Sequence, residues 1–254
     1  MKVYPWIWKW FLVWYVIGVI LVGFDLLPSW LEWANPVFLW LAGVIGGWVI
    51  ADGVRHARLI VPFIFFGSIA VETLGVKTGF PFSEYLYTEA FGPTIFGVPV
   101  TIGAAWLAVI GSSFAVARLF SFKYRTLLLV PVLTVWLDMA IDPVAAHVKG
   151  YWEWANGGLY YDIPTQNFIG WFGLSLIFAW FLDRYEVETK PMFLLHGRYL
   201  FVMLHALFGV TAVNAGLYGI GVLSVVTAGL VFVSMRFVER RNRHDRSEQK
   251  EMVQ

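Results

Sequence analysis

Cysteine is absent from this 254-residue chain, so disulfides, thiolate-held metals and a cysteine nucleophile are all excluded. Histidine is sparse. His56 and His244 have basic neighbours, His147 stands in a polar loop, and His196 and His205 fall on opposite faces of any helix that carries both. No His-x-x-x-His or His-x-x-His-His cluster occurs, so no metal is expected. A phosphate-cradling Gly-x-x-x-x-Gly-Lys, a Gly-x-Ser-x-Gly elbow and a dinucleotide fingerprint are missing as well. Net charge is +1, which provides no general field for nucleic acid. Charged residues make up 14% of the chain, against about 25% in an average soluble domain.

What fills the chain instead is apolar. Hydrophobic residues reach 59%, with 14 Trp and 22 Phe. A bilayer crossing needs about 20 mostly apolar residues. Runs of that kind lie near 6–25, 36–51, 58–76, 98–119, 125–142, 167–183, 196–214 and 217–236. The second is short and the seventh is interrupted by His205, so seven crossings are the alternative to eight. The runs are continuous rather than alternating, which favours helices over a barrel. The expected fold is an all-α, polytopic transmembrane bundle of about eight helices. With both termini inside, 16 of the 18 basic residues fall on the inner side and only Lys77 and Lys149 outside, as the positive-inside rule requires. The first run, flanked by Lys2 and Lys9, lacks a small-residue cleavage site and reads as a retained span. Residues 1–236 are expected to form one membrane domain, and the basic stretch 237–254 a disordered cytoplasmic tail.

Two outer loops depart from ordinary loop composition. Residues 75–99 and 142–171 mix Trp, Tyr, Gly and Pro with a few acids. Each alone could be an interfacial aromatic belt. Two on one face, beside buried acids, point to a re-entrant or lid-like cap over a cavity. The acids are Glu72, near the outer end of the third span, and Asp138 and Asp142, one helical turn apart near the outer end of the fifth. Carboxylates are costly in hydrocarbon and mark a functional interior by default. Close together in low dielectric, two acids cannot both ionise readily, so one stays protonated near neutral pH. The plainer alternatives are a loop cap at Asp142-Pro143, an interhelical bond from Asp138 and a structural Glu72.

The motif series is specific. Pro81-Phe82 with Tyr85 and Tyr87, Gly92-Pro93, Gly97-Val98-Pro99, Asp138-x-x-x-Asp142-Pro143, Gly150-Tyr151-Trp152-x-Trp154, Gly157, Tyr160-Tyr161-x-Ile163-Pro164 and Asn167-Phe168-x-Gly170-Trp171 follow one another in order. Together they resemble the membrane carotenoid biosynthesis protein family, whose characterised members include carotenoid 1,2-hydratases, over roughly residues 40–185. The chain departs from the family pattern at Asp162, where Gly is expected after the Tyr pair, and at Ser83-Glu84, where Gly and a small residue are expected.

The resemblance implies cofactor-independent addition of water to a terminal isoprenoid double bond of a carotenoid drawn from the bilayer, in a multi-pass protein of the cell membrane. Asp138 and Asp142 then suit the acid pair, with Glu72 as a third candidate. Trp152, Trp154, Tyr160, Tyr161 and Trp171 offer aromatic faces to a cation. Tyr85 joins the substrate-binding set, and Asn167 or Tyr151 would hold the water. A carotenoid cyclase or isomerase uses the same protonated polyene and differs only in its product. From other classes, a proton-coupled or lipid transporter predicts polar residues on both sides of the midplane, and a non-catalytic carotenoid-binding protein would survive loss of Asp138.

Overall fold

The structure, a computed structural model, describes residues 3–252. Among them it contains eight long helices: α1 (Tyr4–Leu21), α2 (Ala34–Gly53), α3 (Ala57–Thr78), α4 (Thr101–Ala117), α5 (Arg125–Pro143), α6 (Thr165–Arg184), α7 (Pro191–Asn214) and α8 (Tyr218–Met252). Seven are long and apolar enough to cross a bilayer. The exception, α4, spans about 25 Å at the usual rise per residue, short of a hydrocarbon core of about 30 Å. It need not meet lipid, because 16 of its 17 residues are buried. Helices α2, α3, α5 and α7 enclose α4, while α1, α6 and α8 pack outside them. A helix apolar on every side belongs in such a centre. Helices α1, α3 and α8 expose Trp6, Leu59, Val225 and Val233, the apolar surface that lipid requires.

The chain is a polytopic helical membrane bundle, and its eight helices match the eight apolar runs. The short second run becomes the 20-residue α2, and α7 passes unbroken through His205, which is fully buried. Helix α8 carries the basic segment onward as helix to Met252. We keep as a proposal that the membrane domain ends near Arg236 and the remainder lies at the inner surface.

Glycine lets the central helix approach its neighbour. A Cβ on Gly111 would lie 2.5 Å from the Gly46 Cα, and one on Gly46 would lie 2.8 Å from the Ala108 Cα. Small residues at such a crossing bring backbones into contact where lipid offers no hydrophobic drive. At the inner ends, Arg118 (2.8 Å) and Arg125 both pair with Glu186, and Lys190 pairs with Asp52 at 2.8 Å. These ties join the α4–α5 and α6–α7 connections and α2.

The outer connections carry the only strands among the described residues. Strand β1 (Tyr85–Tyr87) pairs antiparallel with β4 (Trp152–Trp154), and β2 (Thr94–Ile95) pairs with β3 (Val98–Pro99). The β2–β3 turn places Phe96 at φ 53° and Gly97 at φ 86°, the double positive φ of a tight hairpin.

Gly111→Val should destabilise the folded protein by about 1–3 kcal/mol through overpacking against Gly46. Gly229, on the exposed face of α8 with open space around it, should accept Ala within about 1 kcal/mol and in the stabilising direction. Thermal unfolding in detergent measures both. Equal tolerance at the two positions would contradict the close crossing.

Candidate active site

Three helices each deliver polar side chains to one point beneath the outer loops. Glu72 comes from the last two turns of α3, Asp138 and Asp142 from the last two turns of α5, and Asn167 from the first turn of α6. All four are buried, none more than 4% exposed. They face a cavity of about 370 Å³ whose remaining walls are almost wholly apolar.

The two outer loops form one lid. The register sets Tyr85 opposite Trp154 and Tyr87 opposite Trp152. Side chains alternate along a strand, so these four rings point inward together while Leu86 and Glu153 point out and are exposed. Thr88 N–H to Tyr151 carbonyl (3.0 Å) and Ala155 N–H to Glu84 carbonyl (2.9 Å) extend the pairing at both ends.

Each inward ring donates to an acid. The Tyr85 and Tyr87 (3.0 Å) hydroxyls donate hydrogen bonds to Glu72 Oε2, and Trp106 Nε1 from α4 donates to Glu72 Oε1 at 3.0 Å. Trp152 Nε1 (2.8 Å) and Trp154 Nε1 (3.2 Å) both reach Asp142 Oδ1. The Asn167 amide Nδ2 bridges the pair, donating to Asp142 Oδ2 at 2.5 Å and to Asp138 Oδ2 at 3.1 Å. Burial first, and the Glu72 carboxylate second, push the Tyr85 and Tyr87 hydroxyls far above the usual phenol range, so both remain donors. Glu72 and Asp142 thus accept from three donors each, the pattern of an ionised carboxylate. Asp138 accepts from one, and no donor among the described residues reaches its Oδ1.

Of the eleven site residues read from the sequence, the cavity brings nine together: Glu72, Tyr85, Asp138, Asp142, Tyr151, Trp152, Trp154, Asn167 and Trp171. Asn167 meets the acids, and Tyr151 packs against Phe91 with ring centroids 4.4 Å apart. Tyr160 and Tyr161 lie outside the cavity lining. Pro143 has no N–H, so the Met139 carbonyl lacks its helical donor. The Tyr160 hydroxyl fills that position at 3.0 Å. The chain then widens into a π-turn over Val144–Val148, a form that recurs at functional sites. Tyr161 faces α8, with its hydroxyl against Gly219.

Two partners were not among the site residues read from the sequence. Tyr87 was visible in the motif series, and its alternation with Tyr85 was the available signal. Trp106 had a fainter one, a lone indole in a helix of small and aliphatic residues. It also stacks on Trp171 with ring centroids 4.2 Å apart.

With this geometry in hand, comparisons carry weight. A family model described as carotenoid biosynthesis protein matches residues 34–235. The chain is also 26% identical over 217 residues, covering 78% of this chain and 72% of the relative, to a protein of Haloarcula japonica named bisanhydrobacterioruberin hydratase. No solved structure matches.

Glu72→Ala would strand three buried donors, each costing about 1–3 kcal/mol. Its unfolding midpoint in detergent should fall well below that of Glu72→Gln, which retains an acceptor oxygen. Equal midpoints would mean that Glu72 does not organise Tyr85, Tyr87 and Trp106.

Proposed function

The chain belongs to the carotenoid biosynthesis protein family, and from that premise we propose that it is a hydratase adding water across a terminal double bond of an acyclic carotenoid end group. The observation that carries this reading is the unequal filling of the three carboxylates. Asp138 has one donor where Glu72 and Asp142 have three, so Asp138 is the acid left to hold a proton and offer it to the cavity.

The chemistry then balances without a cofactor. The Asp138 carboxylic acid transfers its proton to the less substituted alkene carbon, and the alkene π pair forms the new C–H bond. A tertiary cation remains on the neighbouring carbon. Two fixed anions, Glu72 and Asp142, and the faces of Trp152, Trp154 and Trp171 stabilise that charge as it develops. Each aromatic contact contributes about 0.5–2 kcal/mol. Water adds through its oxygen lone pair, and its surplus proton returns to Asp138. The product is a tertiary alcohol and the acid is regenerated. A neutral carboxylic acid is a weak donor toward an alkene, so stabilisation of the cation must supply much of the driving force. The two anions supply it by favouring the transition state over the uncharged substrate.

Tryptophan suits this site because its N–H holds the acid while its face remains for the cation. The apolar cavity suits an isoprenoid end, and the lid keeps bulk water from the cation until one molecule is admitted. We place the protein in the cell membrane, with the site toward its outer side.

Asp138→Asn keeps the size of the side chain and removes the transferable proton. It should lower water addition by at least about 10²–10⁴-fold, while the protein still inserts and binds pigment. Asp142→Asn should cost less. The assay is incubation with an acyclic carotenoid, followed by chromatography and mass measurement of the pigments. A product heavier by one water supports the hydratase, whereas an isomer of unchanged mass would identify a cyclase. Substantial turnover by folded Asp138→Asn would remove Asp138 as the acid.

Neither added nucleotide, flavin nor chelator should change the rate of purified protein in detergent. Loss of activity on metal removal would overturn the acid-only mechanism.

A further inference from the structure

The cavity is too small for a whole carotenoid. A void of about 150 Å³ takes one benzene ring, so about 370 Å³ takes on the order of fifteen carbons, or about three isoprene units. The rest of the polyene must leave the cavity through an opening that faces hydrocarbon. Helix α1 lines the cavity with Trp14, Ile17, Gly18 and Leu21. Near its inner end it is fastened to α7, where Trp8 stacks on His196 with centroids 4.0 Å apart. Past its outer end it meets α7 again, where a Cβ on Gly23 would come within 3.0 Å of Val210. It leans on α2 through Trp14, whose Nε1 donates to the Ala34 carbonyl at 3.2 Å.

Between these fastenings lies Gly18. It lines the cavity, and a Cβ placed on it would meet nothing within 4 Å. Its neighbour Ile17 also lines the cavity and is 48% exposed. Phe208 of α7 lines the same cavity and is partly exposed. The acids lie inside residues 34–235, which match the family, whereas α1 lies outside that range. The α1 side of the cavity is therefore built by a segment the family match does not include, while the α7 side lies within it.

We propose that the α1–α7 gap at Gly18 is the lateral doorway through which an isoprenoid tail enters from the outer half of the bilayer, and that Gly18 determines which tails pass. This rests on the carotenoid reading of the same cavity. It follows that the enzyme works on one end at a time, with the far end still in lipid.

The absence of cysteine makes the test clean. Gly18→Cys, and Gly229→Cys as a control on the exposed face of α8, each carry a single thiol that can be blocked after folding with a benzyl methanethiosulfonate reagent. Protein in lipid nanodiscs is offered lycopene, and uptake is read from quenching of tryptophan fluorescence, independently of any reaction. Blocking Gly18→Cys should weaken uptake by at least about tenfold relative to the same protein unblocked, because bulk forced into an occupied path carries a penalty of that order. Blocking Gly229→Cys should leave uptake unchanged. Equal uptake before and after blocking at Gly18 would overturn the doorway, as would a Gly18 thiol that resists the reagent while the Gly229 thiol reacts. Uptake that is lost on blocking, by a protein whose unaltered form adds no water, would retain the doorway and overturn the hydratase. Failure of the unaltered protein to take up lycopene at all would overturn both.

Discussion

Three carboxyl groups buried at membrane depth must find hydrogen-bond donors, and the outer half of the molecule is organised around that demand. An unpaired carboxylate in hydrocarbon is untenable. The donors come from everywhere except the acids' own helices. Trp106 reaches in from the central helix, Asn167 from the start of α6, and four aromatic side chains from two loops more than sixty residues apart. Pairing β1 with β4 is the means by which those loops meet, and its register, Tyr85 opposite Trp154 and Tyr87 opposite Trp152, puts all four rings on one face. The lid is thus a consequence of the acids as much as a cover for them.

The fold was legible because lipid imposes rules that sequence obeys openly. Span length, continuous apolarity and the placement of basic residues are one-dimensional properties, and eight helices followed from them. The acids were legible for the same reason, since a carboxylate inside a span stands out. Their partners were not. Nothing local says that Trp152 must donate to Asp142 or that Tyr87 must donate to Glu72, because both bonds depend on a strand register between distant loops. Tyr160 shows the converse. Its place beside Tyr161 in an aromatic loop suggested a face for the substrate, yet Pro143 leaves a carbonyl open and the Tyr160 hydroxyl occupies it.

The two departures from the family pattern acquire a physical meaning. Ser83 stands at φ 96° and Asp162 at φ 59°, backbone conformations that glycine adopts without strain. Neither lines the cavity. Replacing glycine there changes the cost of a turn, and Asp is among the residues that tolerate the left-handed region best. The departures bear on how the lid is held rather than on what the cavity accepts. Variation in substrate belongs instead with residues that touch the cavity far from the acids, which is where α1 stands.

The vertical distribution of titratable groups separates chemistry from transport. A proton relay needs groups spaced so that a proton can step through the membrane. Among the described residues the carboxylates fall into two layers. Glu72, Asp138 and Asp142 lie toward the outer ends of their helices, and Asp52, Asp183 and Glu186 lie at the inner ends. Between the layers, His205 of α7 is fully buried, and among the described residues neither ring nitrogen has a hydrogen-bond partner. The inner layer is occupied in fastening loops, with Arg118 and Arg125 on Glu186 and Lys190 on Asp52. Close backbone contact between α2 and α4 fills part of the space that a water-filled path would need. Among the described residues the buried acids thus gather at the outer side, apart from the ion pairs of the inner layer, the arrangement that the proposed acid catalysis asks for.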